Sequence, residues 1–154
     1  MKGNDRLVTA LNGLLKDELT AINQYMVHAE MCSNWDYDEL HDMIQKRAIV
    51  EMKHAEELIE RILFLEARPV VGELGPINIG PDVPQMFVND LNAEMTAVKG
   101  YNAAIKLALE VGDNATKEIL EHILKDEDGH VDEIEGQQDQ IQQMGTQLYL
   151  STKN

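Results

Sequence analysis

The chain is 154 residues long and carries 28 acidic against 13 basic side chains, a formal net charge of −15. That length suggests one domain, 1–154, with room for a proper core, and a surface this acidic repels nucleic acid and anionic membranes while attracting cations. A single cysteine, Cys32, excludes an internal disulfide framework and a cysteine-based zinc or iron–sulfur site. No apolar run is long enough to span a bilayer, and charges interrupt the opening MKGNDRLVTALNGLLKDELT where a secretory leader would be apolar, so a cytoplasmic protein is expected.

Four long amphipathic segments predict an all-α chain. Residues 5–34 place Leu11, Leu15, Ile22, Tyr25, Ala29 and Cys32 on one helical face, and Asn34 marks the break. Asp36 and Glu39 have the spacing of a capping box for a second helix, which runs to about Ala67 with Leu40, Ile44, Ala48, Leu58, Ile62 and Leu65 inward. RPVVGELGPINIGPDVP, 68–84, holds all four prolines and reads as a long connection with short β-like pieces. A third helix is expected over about 83–111, capped by Asp82 and stopped near Gly112, and a fourth over about 114–144, ending at Gly145. The tail TQLYLSTKN has the apolar content for a short fifth helix.

The chain repeats itself. ELTAINQY at 18–25 returns as EMTAVKGY at 94–101, an offset of 76 (94 − 18). The same offset carries Glu51 to Glu127, His54 to His130, Leu11 to Phe87, Leu15 to Leu91 and Ile22 to Val98. Two copies of a helical hairpin, related by a two-fold axis across a bundle, explain the pattern. The connection at 68–84 reaches roughly 56 Å at about 3.3 Å per residue. The second helix is about 42 Å long at 1.5 Å rise. The connection therefore has the length to cross the whole bundle and let helices two and three run parallel.

Polar residues interrupt the apolar stripes at matching depths. Glu18 sits mid-stripe in helix one and Glu94 in helix three, while Glu51/His54 and Glu127/His130 occupy helices two and four at the i, i+3 spacing that shares a face. Counted from the turn near 35–36, Glu18 and Glu51 differ by roughly 3 Å in depth. Four carboxylates and two imidazoles thus converge in one layer. Without counter-charge each buried carboxylate costs several kcal/mol. The stripes offer no Lys or Arg except near their ends. Protonation is one solution; two divalent metal ions are the other. Oxygen-rich ligation with one His per metal suits iron or manganese.

A Glu from each of two helices with ExxH from each of the other two is the ligand spacing of ferritin-like di-iron carboxylate bundles. It assigns Glu18 and His54 to one metal, Glu94 and His130 to the other, and Glu51 and Glu127 as bridges. Tyr25 and Tyr101 lie seven residues beyond the two terminal glutamates (25 − 18; 101 − 94), where either hydroxyl can bond a ligand carboxylate. Tyr101 is equally open to an ordinary core role.

Beyond this spacing, NQY after ELTAI, EMKHAEELIERILFLE, LGPINIG and DEDGHVDEIE closely resemble the bacterioferritins, the haem-containing ferritins, over essentially the whole chain. The resemblance implies a ferritin-like four-helix bundle with a long crossover and a short fifth helix. It implies a hollow homo-oligomer of twenty-four subunits, built from haem-bridged dimers. Each subunit would be a ferroxidase, oxidising Fe(II) with oxygen or peroxide at an intrasubunit centre of two iron ions. Ferric mineral would collect inside, to be released by a ferredoxin-type reductant. The resemblance also makes Met52, which helical rotation turns away from the Glu51/His54 face, an axial ligand of haem shared between two subunits, with Ile22, Asn23, Met26 and Ile49 as neighbours.

Departures from the family stand at four positions. Certain bacterioferritins have a His and an Asp at the positions of Lys46 and Val50, forming an extra inner iron site that this chain is not expected to have. Certain members have aromatic residues where this chain has Leu58 and Glu133, so an electron route through them is in doubt, and Trp35 reads as a packing residue. Among alternatives, a rubrerythrin-like peroxidase would normally add a cysteine-rich iron domain. A DNA-coating miniferritin places its metal between subunits and does not suit a charge of −15. A zinc-stabilised bundle would not need open dinuclear ligation, and a manganese catalase differs only in metal and assay.

Overall fold

The computed structural model describes residues 1–154 as five helices without strands: α1 (Asp5–Asn34), α2 (Asp38–Phe64), α3 (Val83–Glu110), α4 (Asn114–Met144) and α5 (Thr146–Ser151). Asn4 opens α1 by accepting from the amides of Arg6 and Leu7, and Asp82 opens α3 by accepting from Gln85. The capping box expected for α2 is not formed. Asp36 adopts φ 64° and closes α1 instead, leaving Tyr37 at the N-cap without a side-chain bond. Asp is among the few residues that tolerate this left-handed region. Similarly, Glu66 at φ 58° ends α2 at Phe64, short of Ala67, as the Ala67 amide turns back to the Ile62 carbonyl. The connection is extended but forms no strand.

The internal repeat extends to the backbone of the turns. Tyr37 N–H bonds the Cys32 carbonyl and Asp113 N–H bonds the Ala108 carbonyl. Asp36 at φ 64° is matched, 76 residues on (112 − 36), by Gly112 at φ 77°. Both hairpins therefore turn through the same left-handed C-cap.

Cross-helix contacts fix the directions. Contacts between α1 and α3 pair Glu18 with Tyr101, Tyr25 with Glu94 and His28 with Asp90, so one number rises as the other falls. The α2–α4 contacts behave alike, from Arg61–Asp113 through His54–Glu127 to Arg47–Glu133. α1 is thus antiparallel to α2 and to α3, and α2 runs parallel to α3. The crossover climbs along α1 to make this possible: Val70, Gly75, Asn78 and Gly80 donate their amides to Asn12, Thr20, Gln24 and His28 in turn. Those acceptors are spaced by multiples of four on one side of the helix, a distance of about 24 Å. Gly80 is required there, because a Cβ would collide with the Met86 backbone.

The core is split in two. One apolar cluster includes Leu7, Leu11, Leu15, Leu58, Ile62, Tyr101 and Leu120; the other includes Tyr25, Ala29, Leu40, Ile44, Phe87 and Tyr149. The polar layer of Glu18, Glu51, Glu94 and Glu127 lies between them in every helix of the bundle.

Candidate metal centre

Glu18, Glu51, His54, Glu94 and Glu127 are at most 1% exposed, and the His130 side chain is 13% exposed. Their donor atoms form two overlapping groups. One is Glu18, Glu51, His54 and Glu127; the other is Glu51, Glu94, Glu127 and His130. Within each, one donor atom per residue lies within 4.8 Å of all the others. Glu51 and Glu127 belong to both, while Glu18 with His54, and Glu94 with His130, belong to one each.

Each glutamate is met by a side chain from the other half of the repeat. Tyr25 Oη donates to Glu94 Oε1 at 2.6 Å and Tyr101 Oη donates to Glu18 Oε1 at 2.6 Å. His54 Nδ1 lies 2.9 Å from Glu127 Oε1, and His130 Nδ1 lies 2.9 Å from Glu51 Oε1. Glu18 Oε2, Glu51 Oε1, Glu94 Oε2, Glu127 Oε2 and His130 Nδ1 remain without a hydrogen bond. Five buried donor atoms left unpaired is a costly arrangement for a closed core. The set is four carboxylates and two imidazoles, which is the chemistry that ligates iron.

The imidazoles supply the only positive partners these four glutamates have. Burial alone would lower the His54 pKa, but Glu127, Glu18 and Asp126 raise it to about 11. Burial is likewise outweighed at His130, where Glu127 and Glu94 raise the pKa to about 9. Burial, then Glu18 beside it, holds the Glu51 carboxyl well above the usual range. Glu94 is raised to about 7, chiefly by burial and by Glu127. Glu127 goes the other way: burial opposes ionisation, but the neighbouring Glu94, His130 and His54 side chains lower its pKa. The site is therefore a proton-loaded cluster whose donor atoms face one another. Divalent ions would displace those protons.

One sequence expectation fails here. Arg47 is 2% exposed in the middle of α2, so the stripes do contain a buried cation. Its Nη1 donates to Asp90 Oδ2 at 3.2 Å, its Nε approaches Glu133 at 3.6 Å, and its guanidinium lies 5.0 Å from the Tyr25 ring centre. Asp90 also accepts from Gln24 at 2.8 Å and lies 2.8 Å from His28 Nδ1. This network braces α1, α2, α3 and the crossover, and does not touch the four glutamates. The signal was present: Arg47 is four residues before Glu51 and Asp90 four before Glu94, hence on the same faces. Asp126 was also missed. Its Oδ2 lies 2.8 Å from His54 Nε2.

Met52 is 45% exposed and turned off the core, as helical rotation requires. Met26 and Ile49 are 49% and 44% exposed, and Ile22 and Asn23 are half-buried. All five lie on the α1–α2 hairpin. Lys46 is exposed and Val50 half-buried, Leu58 is core, and Glu133 is the partner of Arg47. Trp35 caps α1 and stacks edge-on against Tyr37, with centroids 6.2 Å apart.

The ferritin-like domain family model matches residues 8–144. The bacterioferritin of Rhodobacter capsulatus is 39% identical over 96% of this chain and 91% of its own length. That of Brucella melitensis is 34% identical over 97% of this chain and 92% of its own. That of Mycobacterium tuberculosis is 35% identical over 97% and 94%. Likeness of this extent, on a bundle whose buried carboxylates and imidazoles form two overlapping groups suited to iron, makes the chain an iron-storage protein of the bacterioferritin family.

Proposed function

We propose that the protein is a ferroxidase that takes up two Fe(II) per chain, with Glu18 and His54 ligating one ion, Glu94 and His130 the other, and Glu51 and Glu127 bridging. The observation that carries this reading is that the two donor groups share Glu51 and Glu127 and no other residue. Each Fe(II) gives up one electron to a two-electron acceptor, oxygen or peroxide, and Fe(III) passes into a mineral. The chain's own groups prepare that step. Tyr25 and Tyr101 orient the two terminal glutamates, leaving one oxygen of each free. His54 and His130 release Nδ1 protons as iron enters, so their lone pairs become ligands.

Family membership supports the remaining features of this proposal. Residues 1–154 form a single ferritin-like domain that assembles into a shell of twenty-four cytoplasmic subunits, with a ferredoxin-type reductant for iron release. Met52 from each of two chains would hold a haem shared between them. Its exposed thioether suits that role, since methionine sulfur is an established ligand of haem iron and a second copy of the chain would supply another. When bound, haem would supply one-electron transfer.

Aerobic addition of Fe(II) to metal-free protein tests the ferroxidase reading. Rapid oxidation and a large iron-loaded particle are expected. Wild-type oxidation rates in both Glu18→Ala and His130→Ala would sink the site assignment. A particle too small to hold mineral would remove the storage step and favour a peroxidase without large-scale storage.

A further inference from the structure

The two halves of the centre are not equivalent. His54 uses both ring nitrogens: Nδ1 meets Glu127 Oε1 at 2.9 Å and Nε2 meets Asp126 Oδ2 at 2.8 Å. His130 makes no hydrogen bond at either nitrogen, its Nδ1 being unpaired despite the nearby Glu51 oxygen. The cause lies in the repeat. Subtracting its offset of 76 (94 − 18) from 126 gives position 50, and position 50 is Val50, which has no acceptor to offer. Exposure follows suit: 2% for the His54 side chain and 13% for that of His130. The two tyrosine–glutamate bonds obey the two-fold, both being 2.6 Å. The break in symmetry lies at the two imidazoles, and Asp126 against Val50 is the sequence difference behind them.

A carboxylate on the far nitrogen of a ligating imidazole fixes its tautomer and ring orientation and raises its basicity, typically contributing 10–100-fold in metal affinity. From this geometry we infer that Asp126 is a positioning residue that makes the Glu18/His54 half the tighter metal site, filled first, and that Val50 leaves the Glu94/His130 half weaker and filled second. This rests on the dinuclear reading above.

Calorimetric titration of the assembled, metal-free protein with Co(II), without oxygen, tests it. Two ions per chain should bind in two steps separated about 10-fold or more. Asp126→Asn should weaken the first step about 10–100-fold and merge it with the second. Val50→Asp should strengthen the second step, a gain that a merely structural role for Asp126 would not produce. His54→Ala should retain only the weaker class of site, and His130→Ala only the tighter. Equal affinities in the wild type, or an unchanged first step in Asp126→Asn, would overturn the inference alone. Fewer than two Co(II) per chain in the wild type would overturn the dinuclear reading beneath it.

Discussion

Tyr25 donates its hydroxyl to Glu94 at 2.6 Å, across the α1–α3 interface, and not to Glu18 on its own helix. Tyr101 returns the same bond to Glu18. The two hairpins thus hold each other's terminal glutamates, and the buried acids are tied to the association of the halves. Tyr25→Phe and Tyr101→Phe should each leave the bundle folded but free one more glutamate oxygen. Metal affinity should fall about 10-fold or more in each variant, measured by titration of the metal-free protein, with Fe(II) oxidation slowed in parallel.

The proton-loaded cluster makes stability depend on pH in one direction. The imidazoles of His54 and His130, raised to about 11 and about 9, stabilise the metal-free fold fully below their unfolded value of about 6.5. That contribution is lost as pH rises, first through about 9 for His130. Glu94, raised to about 7, adds a loss in the same direction between its ordinary value and about 7. The lowered pKa of Glu127 acts only on the acid side. Thermal melting with a chelator present should therefore show a lower Tm at pH 9 than at pH 6. Metal affinity should rise over the same interval, because binding expels the histidine protons.

Arg47 is the counter-charge for Asp90 and Glu133, not for the metal layer. Arg47→Met keeps much of the side-chain volume and removes the charge. Leaving Asp90 buried without its cation should cost about 3–5 kcal/mol, read from urea unfolding. The number of metal ions bound by the folded variant should remain that of the wild type.

For haem, Met52→Leu should abolish the haem absorption of protein prepared with haem in excess, and Met52→His should shift it. Both variants should keep the assembled particle mass, since Met52 is exposed on the subunit and absent from its core. Unchanged haem spectra in both would remove Met52 from the account.

Much of this architecture was legible because burial at a helical period is a strong signal. The α1 and α4 boundaries, the Asp82 cap and the parallel course of α2 and α3 follow from apolar stripes, an N-cap side chain and the length of the crossover. The repeat places Glu18, Glu51, His54, Glu94, Glu127 and His130 at one depth, where the structure has them meet. Turn chemistry was harder. Asp36 followed three residues on by Glu39 resembles a capping box, yet the same aspartate adopts a left-handed conformation that ends the preceding helix. Arg47 was hidden for another reason: an arginine on a helix is ordinarily solvated, and only Asp90 and Glu133, brought from two other helices, make its burial tolerable. Asp126 likewise gains meaning only beside His54.

The central claim is that two iron ions share Glu51 and Glu127 inside each chain. Crystals of the metal-free protein soaked in Fe(II) without oxygen, with anomalous scattering recorded at the iron edge, test it most directly. The account predicts two peaks per chain within the bundle, both adjoining Glu51 and Glu127, one beside Glu18 and His54 and the other beside Glu94 and His130. A single peak, or iron bound only outside this layer, would contradict it.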